Sequence, residues 1–273
     1  MTDKQRNRDS STNRYARIIE RIFFSHYRTG TEQFAFSREE IVRVAKELGI
    51  KLPKNLGDVI YSFRYRTALP ATVREKAPPG KEWIIRPAGR AKYLFVATAM
   101  STIIPSQTLA ETKVPDATPG IIAMYALSDE QALLAKLRYN RLLDIFTGVT
   151  CYSLQNHLRT TVKGLGQVET DEVYIGVDKR GAHYVFPVQA KGPKDKISVV
   201  QVEQDLAMCT SKFPDLICRP VAAQFMTEDL IALLEFEKHA SGMKVTTERH
   251  YRLVDPEEID RSDLEAYQRR AET

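Results

Sequence analysis

Two stretches that alternate apolar and polar residues, "QVETDEVYIGVD" (residues 167–178) and "HYVFPVQAK" (183–191), are separated by little more than Lys179-Arg180-Gly181. A two-residue period on both sides of a short glycine-containing turn specifies a β-hairpin. With Gly181 in the left-handed position of a three-residue loop, Asp178 faces Ala182. Counting inward from that pair sets Asp171 opposite Gln189 and Glu169 opposite Lys191, all on one face. A two-residue turn at Arg180 and Gly181 brings Thr170 and Glu172 opposite instead, so Glu172 stays open as the alternate acid. Pro187 cannot donate to the ladder and implies an edge or a bulge nearby.

The rest of the chain sets this hairpin in a mixed helix and strand context. Helical spacing appears in "YARIIERIFFSHY" (15–27). "SREEIVRVAKELG" has Ser37 and Glu40 in capping-box spacing and Gly49 as a stop, and a third helix is expected over 54–66. "ATVRE" and "EWIIRP", either side of "KAPPGK", read as two strands of a second hairpin, giving a winged-helix order. "SDEQALLAKLRYNRLLDIFTG" reads as one helix, capped by Ser128 with Gln131 and stopped at Gly148. "CYSLQNHLRTTV" reads as a second helical piece. Beyond the central hairpin come a helix in "VVQVEQDLAMCTSKF", a strand in "ICRPVAAQF", a helix in "TEDLIALLEFEKHA" and a strand in "MKVTTERHYRLV".

The expected organisation is an irregular start over 1–13, a winged-helix domain over 14–100 and a linker over 101–120 with three prolines. A second domain over 121–254 and a charged helix or tail over 255–273 complete it. The expected fold class is α/β (α+β overall) with a mixed central sheet.

Charge separates the two modules. Residues 1–100 carry 20 Lys+Arg against 10 Asp+Glu, a net +10, and the remainder carries 20 against 25, a net −5. A basic first third suits a polyanion. In a winged helix the third helix enters the major groove and the hairpin touches the backbone. The residue types fit that use: Lys54, Asn55, Arg64, Tyr65 and Arg66 on the helix, and Arg74, Lys76 and Lys81 on the expected wing. Units of this kind also bind proteins, and Tyr61, Phe63 and Tyr65 suit a core. Trp83 is assigned to packing. Cys151, Cys209 and Cys218 are read as buried thiols, the five histidines as structural, and "GLG" at 164–166 lacks the Gly-Lys-Ser/Thr ending of a phosphate loop. No apolar run is long enough to span a bilayer, so a cytoplasmic protein is expected.

The hairpin face combines acid, amide and ammonium, the groups that phosphodiester hydrolysis requires. Asp171, the Gln189 side-chain carbonyl and the Ala190 main-chain carbonyl offer oxygens to a hard divalent cation. Lys191 offers a positive donor to water or to developing phosphate charge, and Lys194 and Lys196 offer contacts to flanking phosphates. With Asp171 upstream, "VQAKG" resembles the PD-(D/E)xK nuclease signature in the Gln-x-Lys variant of Mrr-like restriction endonucleases, whose catalytic domain commonly follows a winged helix. The resemblance implies an αβββαβ restriction-endonuclease-like domain, Mg2+ or Mn2+ as cofactor, and duplex DNA as substrate. It assigns Asp171 as metal acid, Gln189 as second motif position and Lys191 as catalytic lysine, and allows a further acid from the preceding helix, Glu130 or Asp144. Which of Glu169, Asp171 and Glu172 binds metal stays open. Cutting both strands implies a homodimer. The alternatives are a DNA-binding regulator with an inactive nuclease fold, and a nuclease acting on RNA or single strands.

Overall fold

The computed structural model describes residues 3–65, 67–99, 101–125, 130–239 and 242–271, with side chains from Arg14 onward. The protein is mixed α/β, and its backbone contacts divide it into two compact units, Met1–Thr102 with Thr161–Gln167, and Ile103–Thr160 with Val168–Thr273. Among the described residues no helix is long and apolar enough to cross a membrane.

In the first unit α1 (Asp3–His26), β1 (Gln33–Ser37), α2 (Arg38–Glu47), α3 (Gly57–Tyr65) and α4 (Ala71–Arg74) precede the hairpin β2 (Glu82–Pro87) and β3 (Lys92–Thr98). Helix α1 begins at Asp3, within the segment expected to be irregular. Its apolar stripe, Ile18, Ile19, Ile22 and Phe23, is fully buried against Ile41, Ile60, Ile85 and Phe95. Phe23 meets Trp83 and Phe95 edge-on at 5.1 and 5.2 Å, which makes Trp83 a packing residue. The Ser37–Glu40 capping box forms and Gly49 ends the helix region with φ +64°.

Strand β1 was not foreseen; it pairs antiparallel with β3 and makes a three-stranded sheet in the order β1-β3-β2. The expected strand at "ATVRE" is corrected to the single-turn helix α4. Pro70 starts that turn, its carbonyl accepts from Val73 and Arg74 at 3.0 Å, and Val73 is buried. The hairpin is therefore β2–β3, turning through residues 88–91, with Gly89 and Ala91 at positive φ. Arg86, Arg90 and Lys92 lie at that turn, whereas Arg74 and Lys76 fall outside it and Lys81 just precedes β2.

The rest of the chain, mostly in the second unit, forms β4 (Thr102–Ile103), β5 (Glu111–Pro115), α5 (Gly120–Tyr125), α6 (Glu130–Tyr139), α7 (Leu142–Thr147), β6 (Thr150–Val162), β7 (Gly166–Val177) and β8 (His183–Lys191). It continues with β9 (Ile197–Ser198), α8 (Val199–Lys212), β10 (Ile217–Cys218), β11 (Val221–Phe225), β12 (Leu230–His239), β13 (Gly242–Val254) and α9 (Arg261–Ala271). The main sheet runs β5-β13-β12-β11-β8-β7-β6, with β10 beside β8. Strands β8 and β11 are parallel, as are β13 and β5, while β7–β8, β11–β12 and β12–β13 are antiparallel.

Helices cover both faces of the sheet centre. On one side Leu133, Leu134 and Leu137 of α6 and Leu142 of α7 pack on Tyr174, Phe186, Val188, Ala190 and Leu233. On the other, Val199 and Val202 of α8 pack on Ala222, Ala232, Leu234 and Phe236. Burial on both faces explains one misreading: "LIALLEF" of β12 has no alternation, and a continuous apolar run fits a central strand as well as a buried helix. The expected helix there is corrected to β12.

Other expectations are also corrected. "CYSLQNHLRTTV" is strand β6: its residues 152–157 are all exposed and offer no apolar helical stripe, and its β-branched end leads into a turn where Gly164 has φ +86°. The single helix over 128–148 is two, broken where Arg141 takes φ +50°, with Gly148 the stop at φ +68°. Ser128 of the expected cap lies outside the described residues. The linker contains β5, so it belongs to the sheet. The charged tail contains α9, whose Tyr267 hydroxyl accepts from the Lys113 amide at 2.8 Å.

Pro187 is not on an edge, since β8 is flanked by β7 and β11. Strand β8 pairs with β10 through Val185 and with β11 from Val188 onward, and Pro187 occupies the gap between those partners. The missing donor falls where the ladder is interrupted.

Candidate active site at the end of strand β8

The turn follows the three-residue form. The Asp178 amide donates to the Ala182 carbonyl at 3.1 Å, Gly181 has φ +81°, and the ladder runs from Val177–His183 to Glu172–Val188. This register excludes the two-residue alternative. It also explains the small residue at 176: a Cβ there would come within 2.6 Å of Val149 and 2.9 Å of Phe186.

Beyond Glu172 the ladder stops, and the side chains regroup. Asp171 turns its carboxylate onto the Ala190 amide at 2.8 Å, and Lys191 Nζ lies 3.8 Å from Asp171 and 3.3 Å from Glu130 at the start of α6. The Lys191 and Asp171 side chains are only 10% and 15% exposed, which leaves the ion pair weakly screened. Burial raises the Asp171 pKa, opposed by the Lys191 charge and the Ala190 amide. Burial also raises Glu130, opposed by Lys191 and reinforced by the Asp171 charge. Two acids above their ordinary range around one ammonium make a site short of positive charge.

Gln189 does not join that group through its amide nitrogen. Its Nε2 donates to Asp205 Oδ2 on α8 at 2.9 Å and to the Glu169 carbonyl at 3.3 Å, while Thr170 Oγ1 donates to Asp205 Oδ1 at 2.5 Å. Gln189 and Asp205 are each 1% exposed and Thr170 is fully buried. Burial pushes Asp205 up to about 7, despite the two hydrogen bonds that favour its charged form. Gln189 Oε1 is buried without a partner.

The remaining acids are used differently. Glu169, expected opposite Lys191, pairs instead with His157 at 2.8 Å and Arg159 at 3.1 Å on β6. Glu172 is fully buried toward α6, where Arg138 donates at 3.1 Å and Ser153 also bonds it. Asp144 accepts from the Cys151 amide and pairs with Arg141, so Glu130 is the preceding-helix acid that reaches the site. Ala190 is buried within the core.

Lys194 and Lys196 are exposed on a loop that Asp195 and Gln224 hold in place. Asp195 Oδ2 accepts from the Gly192 amide at 3.1 Å, and Gln224 Nε2 donates to the Asp195 carbonyl at 2.9 Å.

The candidate nucleic-acid contacts of the first unit are less uniform. Lys54, Arg74 and Lys76 are exposed. Asn55 bonds Asp58 and the Gly57 amide at the start of α3, a capping arrangement. Arg64 is half-buried over the Tyr65 ring at 4.7 Å, and Lys81 pairs with Glu32 at 2.7 Å. Arg66 lies outside the described residues.

Comparisons with protein-family models, curated proteins and solved structures find no match. The geometry alone therefore carries the reading. Among the described residues no group of three or more His, Cys, Asp and Glu side chains is arranged to hold a metal ion. The oxygens that fit a hard cation are the Asp171 carboxylate and the buried, unpartnered Gln189 Oε1, a carboxylate and amide set. Asp205 escaped the sequence reading, although it had a signal. It sits three residues from both Val202 and Met208, an acid on the apolar stripe of α8.

Proposed function

We propose that this chain is a divalent-metal-dependent nuclease that hydrolyses phosphodiester bonds of duplex DNA, with its first unit as the DNA reader. One observation carries the reading: at the end of β8 the Lys191 ammonium lies between Asp171 and Glu130, and Asp171 is anchored on the amide of the intervening Ala190. A purely structural ion pair does not need two acids raised by burial around one lysine. The order α6–α7–β6–β7–β8–α8–β11, with β8 parallel to β11, supports the αβββαβ nuclease fold.

Asp171, Gln189 through Oε1 and the Ala190 carbonyl are the groups that would hold Mg2+ or Mn2+, whose chemistry when bound is to polarise the phosphate and acidify water. Few protein oxygens suit magnesium, which keeps several waters and takes phosphate oxygens from its substrate. The chain's own groups do the rest. The Ala190 amide fixes the Asp171 carboxylate, Glu130 restrains the Lys191 head group, and Lys191 donates toward the attacking water or the charge growing on phosphate. Lys194 and Lys196 supply exposed charge for flanking phosphates.

For the reader, α1, β1, α2, α3 and the β2–β3 hairpin over a three-stranded sheet support a winged helix. In this reading the wing cations become Arg90 and Lys92, in place of Arg74, Lys76 and Lys81. Two cuts on opposite strands call for a homodimer.

The test is cleavage of plasmid and oligonucleotide DNA, and of matched RNA and single strands, by wild type, Lys191→Ala and Asp171→Ala with Mg2+, Mn2+ or EDTA. Metal-dependent cleavage of duplex by wild type, lost in both variants, is expected. Duplex binding with no cleavage and no metal uptake would replace the reading with a DNA-binding regulator. Preference for RNA or single strands would change the substrate class.

A further inference from the structure

The Gln-x-Lys end of β8 differs from a two-carboxylate site in one physical respect. A carboxylate offers an oxygen on either side, but an amide must be turned the right way. Gln189 Nε2 has two hydrogens, and both are committed, one to Asp205 Oδ2 at 2.9 Å and one to the Glu169 carbonyl at 3.3 Å. With Asp205 ionised, reversing the amide would set Oε1 against a carboxylate oxygen and a carbonyl oxygen, with no hydrogen between them. Asp205 is itself held by Thr170 Oγ1 at 2.5 Å, which leaves Oδ2 for Gln189. Gln189, Asp205 and Thr170 are buried, so water cannot stand in for the Asp205 partner.

We infer that Asp205 is a positioning residue that sets the orientation of the Gln189 amide and so presents Oε1, the buried oxygen without a partner, as a divalent-cation ligand beside Asp171. This rests on the nuclease reading and extends it. Asp205 stands on α8 against the nitrogen side of Gln189, where it selects the oxygen face of the amide. Partners behind a ligand typically change metal affinity 10- to 100-fold when removed.

The experiment is calorimetric titration of Mn2+ into full-length wild type, Asp205→Asn, Gln189→Glu and the double variant, with thermal unfolding as the fold check. Asparagine at 205 has the shape of aspartate; with its oxygen kept on the Thr170 hydroxyl it presents an N–H to Gln189, so the Gln189 amide reverses and turns its nitrogen toward the site. Mn2+ affinity is expected to fall by about tenfold or more. In the double variant the glutamate at 189 accepts from the asparagine and still offers a carboxylate oxygen, so affinity recovers to or above the wild-type value. Gln189→Glu alone sets two carboxylates together and binds more weakly than the double variant.

Equal Mn2+ affinity in wild type and Asp205→Asn would overturn the inference while leaving the nuclease reading intact. Loss in Asp205→Asn without recovery in the folded double variant would also overturn it, reducing Asp205 to a structural role. Absence of Mn2+ binding by wild type would overturn both.

Discussion

Asp171 and Glu172 are neighbours on β7, yet the fold uses them in opposite ways. Glu172 is fully buried and receives Arg138 and Ser153 on the α6 side of the sheet. Asp171 sits where the ladder ends, takes one main-chain amide, and shares Lys191 with Glu130. Burial raises both pKa values. The difference lies in the counter-charge: Glu172 has Arg138 to itself, with Oε2 left buried and unpartnered, whereas Asp171 shares the single Lys191 ammonium with Glu130. A buried acid becomes a functional candidate where its counter-charge is shared, rather than through burial itself.

The largest effect that can break this comparison is in catalysis. Lys191→Ala and Asp171→Ala are expected to lower cleavage per folded molecule by roughly 10²–10³-fold or more, while Asp171→Asn, which can still accept from the Ala190 amide, keeps a urea midpoint close to wild type; a stability loss in Asp171→Asn that matches its loss of activity would make Asp171 as structural as Glu172.

Next in size is the pH dependence that Asp205 imposes. Its folded pKa of about 7 lies above the ordinary value of 3.8, so between these the folded chain keeps a proton that the unfolded chain has lost. Stability therefore falls as pH rises from about 4 to about 7, by up to about 4 kcal/mol, and levels off above. Asp171, Glu130 and Glu172 are shifted in the same direction. Urea denaturation at pH 5 and pH 8 should show a smaller difference in Asp205→Asn than in wild type; an equal difference would remove Asp205 as its source.

Glu172→Ala, the structural counterpart, is expected to cost about 2–3 kcal/mol, below the range for fully buried pairs because Arg138 can still reach water. Cleavage per folded molecule should persist, and its disappearance would erase the contrast with Asp171. The smallest effect is expected in the first unit: on the proposed reading, replacing Arg90 and Lys92 by alanine should reduce the salt slope of duplex binding by about 2. An unchanged slope would take the hairpin turn away from the DNA backbone.

The local signals in the sequence differ in what they determine. Strict alternation and the Gly181 turn narrowed the β7–β8 register to two forms, of which the three-residue turn is the one adopted, and the Ser37–Glu40 spacing marked the start of α2, because each depends only on neighbouring residues. Strand β12 was misread because burial by helices on both faces removes the alternation. The linker was misread because Glu111–Pro115 acquires its partner from the far end of the chain. At the site, the proximity of Lys191 and Asp171 followed from the register. Capture of Gln189 by Asp205 depends on how α8 crosses the sheet, and Glu130 could be narrowed down only once α6 was seen over the end of β8. Pairing of Glu169 with Lys191 failed because the ladder stops at Glu172, leaving Glu169 to His157 and Arg159 of β6.

The parallel contact of β5 with β13 also has a consequence for synthesis. Thr112 pairs with Tyr251 and Val114 with Leu253, so the edge strand leaves the ribosome 139 residues ahead of the segment that covers it. At ordinary elongation rates that is a wait of roughly 7–30 s. Strands β6, β7, β8 and β11 emerge during the same interval. The chain can therefore assemble the Lys191 neighbourhood before its sheet is closed, and a nascent protein stalled short of residue 250 would keep residues 111–115 unpaired and open to capture by another strand.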